Sequence, residues 1–163
     1  MKFHFLLALI ALSFLSSHVA IAADAVKHPT LNVKTVDGKT FDLAQEKGHW
    51  VIVNFWATWC SPCLKEIPDI SAFVAVHKNV SAIGLDFEEI EADDLKAFLK
   101  QHPVGYAVSA VDVYNPPKDF EVPRGLPTTY VIAPDGSVAK RFMGPITGTD
   151  LEKVLKDAGA SGT

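Results

Sequence analysis

The sequence predicts an α/β domain: a mixed central sheet flanked by helices on both faces, with an added N-terminal β-hairpin. Three observations carry that prediction. Two apolar, β-branched runs, Trp50–Trp56 and Val80–Phe87, bracket a stretch with helical spacing, which is the pattern of a βαβ unit with parallel strands. Two later runs, Thr128 to Ala133 and Ser137 to Met143, are joined by Pro134-Asp135-Gly136, a connection so short that the strands must be antiparallel. An amphipathic stretch from Thr149 to Ala158 then closes the chain.

Taken from the start, Met1 to about Ala22 reads as a cleaved secretory signal peptide. Lys2 is its single basic residue, Phe5 to Phe14 is nearly all apolar, and Ala20-Ile21-Ala22 is a small-x-small cleavage site. Ser13, Ser16, Ser17 and His18 leave the apolar run short for a bilayer span. The expected product is soluble, exported most simply to a bacterial periplasm, with no stable membrane anchor after cleavage. Residues 23–163 are 141 in number, a single domain by length, with its core at about 30–158. They carry 14 basic against 19 acidic residues, a net charge of −5, which argues against nucleic acid or an anionic membrane surface as partner.

Leu31 to Leu43 is expected to be the hairpin. Leu31, Val33 and Thr35 alternate, Asp37-Gly38 turns the chain, and Thr40 to Leu43 returns. After the central strand, Leu64 to Val76 places Ile67, Ile70, Phe73, Val74 and Val76 at helical spacing, and Pro68 should kink that helix. The acidic stretch Glu88 to Asp94 suits the start of a helix running to about Gln101, where negative charge favours the dipole. Residues 103–124 are the least regular. Tyr106 to Ser109 is expected to be a short strand and Lys118 to Val122 one helical turn, with Asn115-Pro116-Pro117 breaking the chain between them. Thr149 or Asp150 is expected near the cap of the last helix.

The chemistry is concentrated in Trp59-Cys60-Ser61-Pro62-Cys63, which holds both cysteines of the chain. The motif lies between the buried strand and the helix. Cys60 falls at or just before the first helical turn, where unpaired N–H groups and the dipole favour a thiolate. Pro62 suits the first turn because its missing N–H would have had no helical partner. Cys63 sits one turn inside. Cys60 is then the attacking sulfur and Cys63 the resolving one. A purely structural disulfide would close a very short loop and add little stability. A structural zinc site would need a second Cys or His pair, and the six histidines are scattered.

These residues resemble the thioredoxin superfamily, and within it the TlpA/ResA-like periplasmic thiol-disulfide oxidoreductases. The likeness is carried by Val53-Asn54-Phe55-Trp56-Ala57-Thr58-Trp59-Cys60-Ser61-Pro62-Cys63, Glu66-Ile67-Pro68, Gly125-Leu126-Pro127-Thr128-Thr129, and Gly144. It implies a thioredoxin fold with a cis Pro127 beside the cysteines. The backbone of Leu126 would be open to an extended substrate, and Trp59 would flank the same surface. It also implies a role for Glu66. Many relatives carry a buried Asp where this chain has Asn54, and an amide cannot titrate. Glu66, one turn past Cys63, is expected to replace that Asp in proton transfer.

The implied activity is reduction of protein disulfides, with no cofactor and no metal. Implied partners are substrate proteins with disulfides, of the cytochrome c maturation or copper-protein assembly type. A membrane electron donor of the DsbD/CcdA type would re-reduce the protein. Ser61-Pro62 lacks the His that strong oxidants of this fold commonly carry, which favours the reductive direction. A copper-binding metallochaperone of the same fold is the alternative, and a peroxidase of the peroxiredoxin type a further one.

Overall fold

The computed structural model describes residues 28–160. The expected signal segment, 1–22, lies outside them. A two-stranded antiparallel sheet opens the domain: β1 (Asn32–Lys34) and β2 (Thr40–Asp42), turning at Gly38 with its φ of 84°. A single 3-10 turn, Leu43–Glu46, follows, its first N–H groups capped by Asp42. The main sheet has five strands: β3 (Trp50–Trp56), β4 (Val80–Asp86), β5 (Ala107–Ala110), β6 (Thr128–Ile132) and β7 (Val138–Met143), in the order β5-β4-β3-β6-β7. Parallel pairs join β3 to β4 and β4 to β5, and antiparallel pairs join β6 to β3 and to β7. The helices are α1 (Ser61–Val76), α2 (Ala92–Gln101) and α3 (Gly148–Ala160).

Strand β3 is buried at all seven positions, as a central strand covered on both faces must be. Its alternation divides the core. Trp50 and Ile52 pack with Ile70 and Phe73 of α1 and Leu151 of α3. Trp56 packs with Ile67 of α1 and Leu95 of α2. Val51, Val53 and Phe55 point the other way, onto Leu31 and Phe41 of the hairpin and Phe120 of the segment after β5. The helices expected on both faces are thus divided unevenly. All three α-helices share one face, and the 3-10 turn is the helical element on the other, alongside the hairpin and the 111–126 segment. The reason is handedness: β3-α1-β4 and β4-α2-β5 step the same way along the sheet, so right-handed crossovers put both helices on one side.

One local expectation is corrected and one is sharpened. Lys118 to Val122 forms no helical turn. The Phe120 N–H bonds back to the Pro117 carbonyl at 3.2 Å, a single tight turn, and the chain then runs on irregularly. The cap of α3 comes from Thr147, not Thr149. Its N–H and hydroxyl both donate to Asp150 Oδ2, at 2.8 and 2.7 Å, and the Asp150 N–H donates to Thr147 Oγ1 at 3.3 Å, so Asp150 completes the cap reciprocally.

Candidate active site

Cys60 is the N-cap residue of α1, in an extended conformation (φ −82°, ψ 92°). It is disulfide-bonded to Cys63, with a Cα–Cα separation of 5.3 Å. Its Sγ accepts the N–H of Cys63 at 3.3 Å, so the sulfur itself occupies the place a capping oxygen would take. No acidic residue stands in the first turn of α1 to oppose a negative charge there. In the reduced protein the same N–H and the helix dipole stabilise a Cys60 thiolate. Cys60 retains 4% exposure and Cys63 none. Of the two cysteines, Cys60 is the one that keeps any exposure.

Glu66 is 2% exposed, on the inner face of α1 with Cys63. Its Oε1 accepts from Asn54 Nδ2 and its Oε2 from the Ile146 N–H, both at 2.8 Å. Asn54 Nδ2 also donates to Thr129 Oγ1 at 2.9 Å. Burial pushes the Glu66 carboxyl up to about 7, and these two donors hold it from rising further. An exposed helix carboxylate would not be so placed. An acid titrating near 7 can take and return a proton in the thiol range.

The Leu126–Pro127 bond is cis and Pro127 is buried. Leu126 packs against the cluster containing Cys60 and Cys63. The Pro127 carbonyl accepts the Gly144 N–H at 2.9 Å, which ties the proline to the end of β7. Trp59 is 68% exposed, directly beside the disulfide. The cavity of about 830 Å³ between the hairpin and α2 is lined by neither cysteine nor Glu66. Among the described residues no group of three or more His, Cys, Asp or Glu side chains could hold a metal ion. No helix among them is long and apolar enough to cross a membrane.

Of the residues singled out in the sequence, Cys60, Cys63 and Glu66 lie together at the start of α1 and Leu126 packs on the cysteine cluster, but several of their supports were not singled out. Thr129 and the Ile146 N–H hold Glu66 and its partner from 75 and 80 residues away, and no local pattern announces them. Two further carboxyl groups, Asp86 and Glu88, stand beside the redox loop, where Glu88 Oε1 accepts the Thr58 N–H at 2.6 Å. A carboxylate closing an otherwise apolar strand run was the signal that could have found Asp86.

Strand, capping sulfur, inner sulfur and buried acid together define a dithiol redox protein of thioredoxin fold. Comparison with known proteins agrees. The model of the AhpC/TSA family matches residues 25–141. A thiol-disulfide oxidoreductase ResA of Bacillus cereus is 35% identical over 130 residues, covering 78% of this chain and 74% of that protein. ResA of Bacillus subtilis (strain 168) is 31% identical over 133 residues, covering 79% and 70%. A crystal structure of a thiol:disulfide interchange protein of the thioredoxin family, from Chlorobium tepidum TLS, superimposes with a TM-score of 0.65 at 29% identity, covering 83% and 97%. The chain belongs to the AhpC/TSA family, among thioredoxin-fold relatives of the ResA kind, and is a thiol-disulfide oxidoreductase.

Proposed function

We propose that this chain is an exported, periplasmic reductase of protein disulfides. The observation that carries the chemistry is the pairing of a helix-capping Cys60 sulfur with a sealed Cys63 and a buried Glu66 one turn on. The direction rests on Ser61-Pro62, which offers no cationic donor to stabilise the reduced form.

In this mechanism the Cys60 thiolate attacks one sulfur of a substrate disulfide, and the other substrate sulfur leaves as a thiolate that takes a proton from solvent. The Cys63 thiol passes its proton to the Glu66 carboxylate and attacks Cys60 Sγ. The second substrate sulfur leaves as a thiolate and takes the proton held by Glu66, and the Cys60–Cys63 disulfide forms. Two electrons and two protons have moved to the substrate. Return to the dithiol needs an electron donor, for which a membrane protein of the DsbD/CcdA type is the proposed source. Trp59, Leu126 and Pro127 form the surface that holds an extended substrate segment, as in strand addition. Apocytochrome c cysteines and copper-assembly proteins are the proposed substrate types. Residues 1–22 are the proposed export signal, and 23–163 the working domain.

Trapping tests the reading. Reduced Cys63→Ser protein, mixed with insulin, is expected to accumulate a mixed disulfide through Cys60, and Cys60→Ser is expected to accumulate none. Equal trapping by both variants, or by neither, would overturn the roles assigned. N-terminal sequencing of protein recovered from a periplasmic extract, starting at Ala23, tests the export signal.

A further inference from the structure

Strand β4 ends in Asp86, in register with Trp56, the last residue of β3, and with Ala110 of β5. Asp86 is fully buried. The strand ends are tied there: the Phe87 N–H donates to the Trp56 carbonyl at 2.8 Å, and the Val111 N–H to the Asp86 carbonyl at 3.0 Å. Neither side-chain oxygen of Asp86 has a donor among the described residues. Glu88, two residues on, is the group whose charge and side-chain hydrogen bonding act on Asp86. Glu88 Oε1 in turn accepts the Thr58 N–H, two residues before Cys60. Two neighbouring carboxylates, one of them buried, repel when both are ionised, and are satisfied when one proton lies between them.

We propose that Asp86 and Glu88 form a proton-sharing carboxyl pair that positions the redox loop, holding the Thr58 amide while Asp86 is protonated and releasing it when Asp86 ionises. Both are positioning residues, acting on Cys60 through Thr58 and Trp59.

The surroundings favour the protonated form. Burial first, and the charge of Glu88 second, push Asp86 up to about 8. Trp56 and Ala110, its register partners, do not titrate. Trp56 itself packs among apolar side chains and the two cysteines. The adjoining cleft is lined by Glu89, Glu91 and Asp94 ahead of and within α2, and by Asp112 and Tyr114 after β5, with no Lys, Arg or His among its lining. Every charge on that side is negative, so none would stabilise an ionised Asp86. On the oxidoreductase reading, ionisation places an added negative charge beside the Cys60 loop and disfavours its thiolate.

The test uses oxidised, isotope-labelled protein, so that no thiol titrates. From pH 6 to 10 the Thr58 amide proton is expected to move upfield with a midpoint near 8. Asp86→Asn is expected to hold it flat across that range. Glu88→Gln, which keeps an acceptor for Thr58 and removes the charge, is expected to lower the midpoint by about one pH unit. Glu66→Gln is expected to leave it where it is. An unchanged midpoint in both Asp86→Asn and Glu88→Gln, or a flat Thr58 signal in the wild type, would overturn the pair. The readout needs no substrate, so a failed insulin trap would count against the function and not against the pair.

Discussion

Asn54 Nδ2 donates to Glu66 Oε1 at 2.8 Å, joining the central strand to the first helix, which carries the disulfide at its start. An amide that cannot titrate holds a carboxyl that can. In the mechanism proposed above, the proton-handling group then stands on the helix, one turn from Cys63.

Replacing Glu66 with Gln keeps the size of the side chain and removes the base. Resolution of the mixed disulfide by Cys63 is expected to slow by about a hundredfold at pH 7, within the usual range for a general base. The wild-type rate should rise through a midpoint near 7, the value burial gives Glu66, and that inflection should vanish in Glu66→Gln. Stopped-flow release of a fluorescent substrate thiol, followed from pH 5 to 9, measures both.

Asn54→Ala would leave Glu66 Oε1 and Thr129 Oγ1 without their shared donor. A buried acceptor stripped of its partner costs about 1–3 kcal/mol. Urea unfolding of the oxidised protein should show that loss, and the Glu66 midpoint should rise, because a donor that favours the anion is gone.

Stability should fall as pH rises from about 5 to 8. Glu66 is raised from 4.5 to about 7 and Asp86 from 3.8 to about 8, so between those limits the folded protein binds more protons than the unfolded chain. Stability is then greatest below the unfolded values and is lost as pH passes through the folded ones. Asp37, Asp119, Asp135 and Asp150 shift downward and act below this window. Glu66 accounts for at most about 3 kcal/mol and Asp86 for at most about 6 kcal/mol, as one pKa unit corresponds to 1.36 kcal/mol. Urea midpoints at pH 5 and pH 8.5 should differ in the wild type and converge in the double variant Glu66→Gln, Asp86→Asn.

Trp59 is largely solvent-exposed, and Trp59→Ala should change unfolding free energy by no more than about 0.5 kcal/mol. Insulin reduction is nevertheless expected to slow, through a higher KM, since the proposed substrate surface includes this ring beside Cys60. An unchanged KM would remove Trp59 from the substrate surface.

Much of this was legible because strand and helix periodicity is local. The run Trp50–Trp56 and the hairpin around Asp37-Gly38 declare themselves within a few residues. Cys60, Cys63 and Glu66 lie on one short stretch, so their shared helix face follows from spacing. What brings Thr129 and the Ile146 N–H to that face is sheet register and the packing of α3, which no window of sequence contains. The turn at Pro117–Phe120 was read as helical because its residues permit either, and the two prolines before it favour the tight turn. Asp86 looked like the end of a strand, and its burial came only with the fold.

The central claim is that the Cys60–Cys63 couple works as a reductant. Its equilibrium reduction potential, measured on residues 23–163 against a glutathione or dithiothreitol series, tests that directly. A value near thioredoxin's, roughly −270 mV, is the predicted result. A value near roughly −120 mV, that of a strong oxidant, would contradict it and make the chain a donor of disulfides.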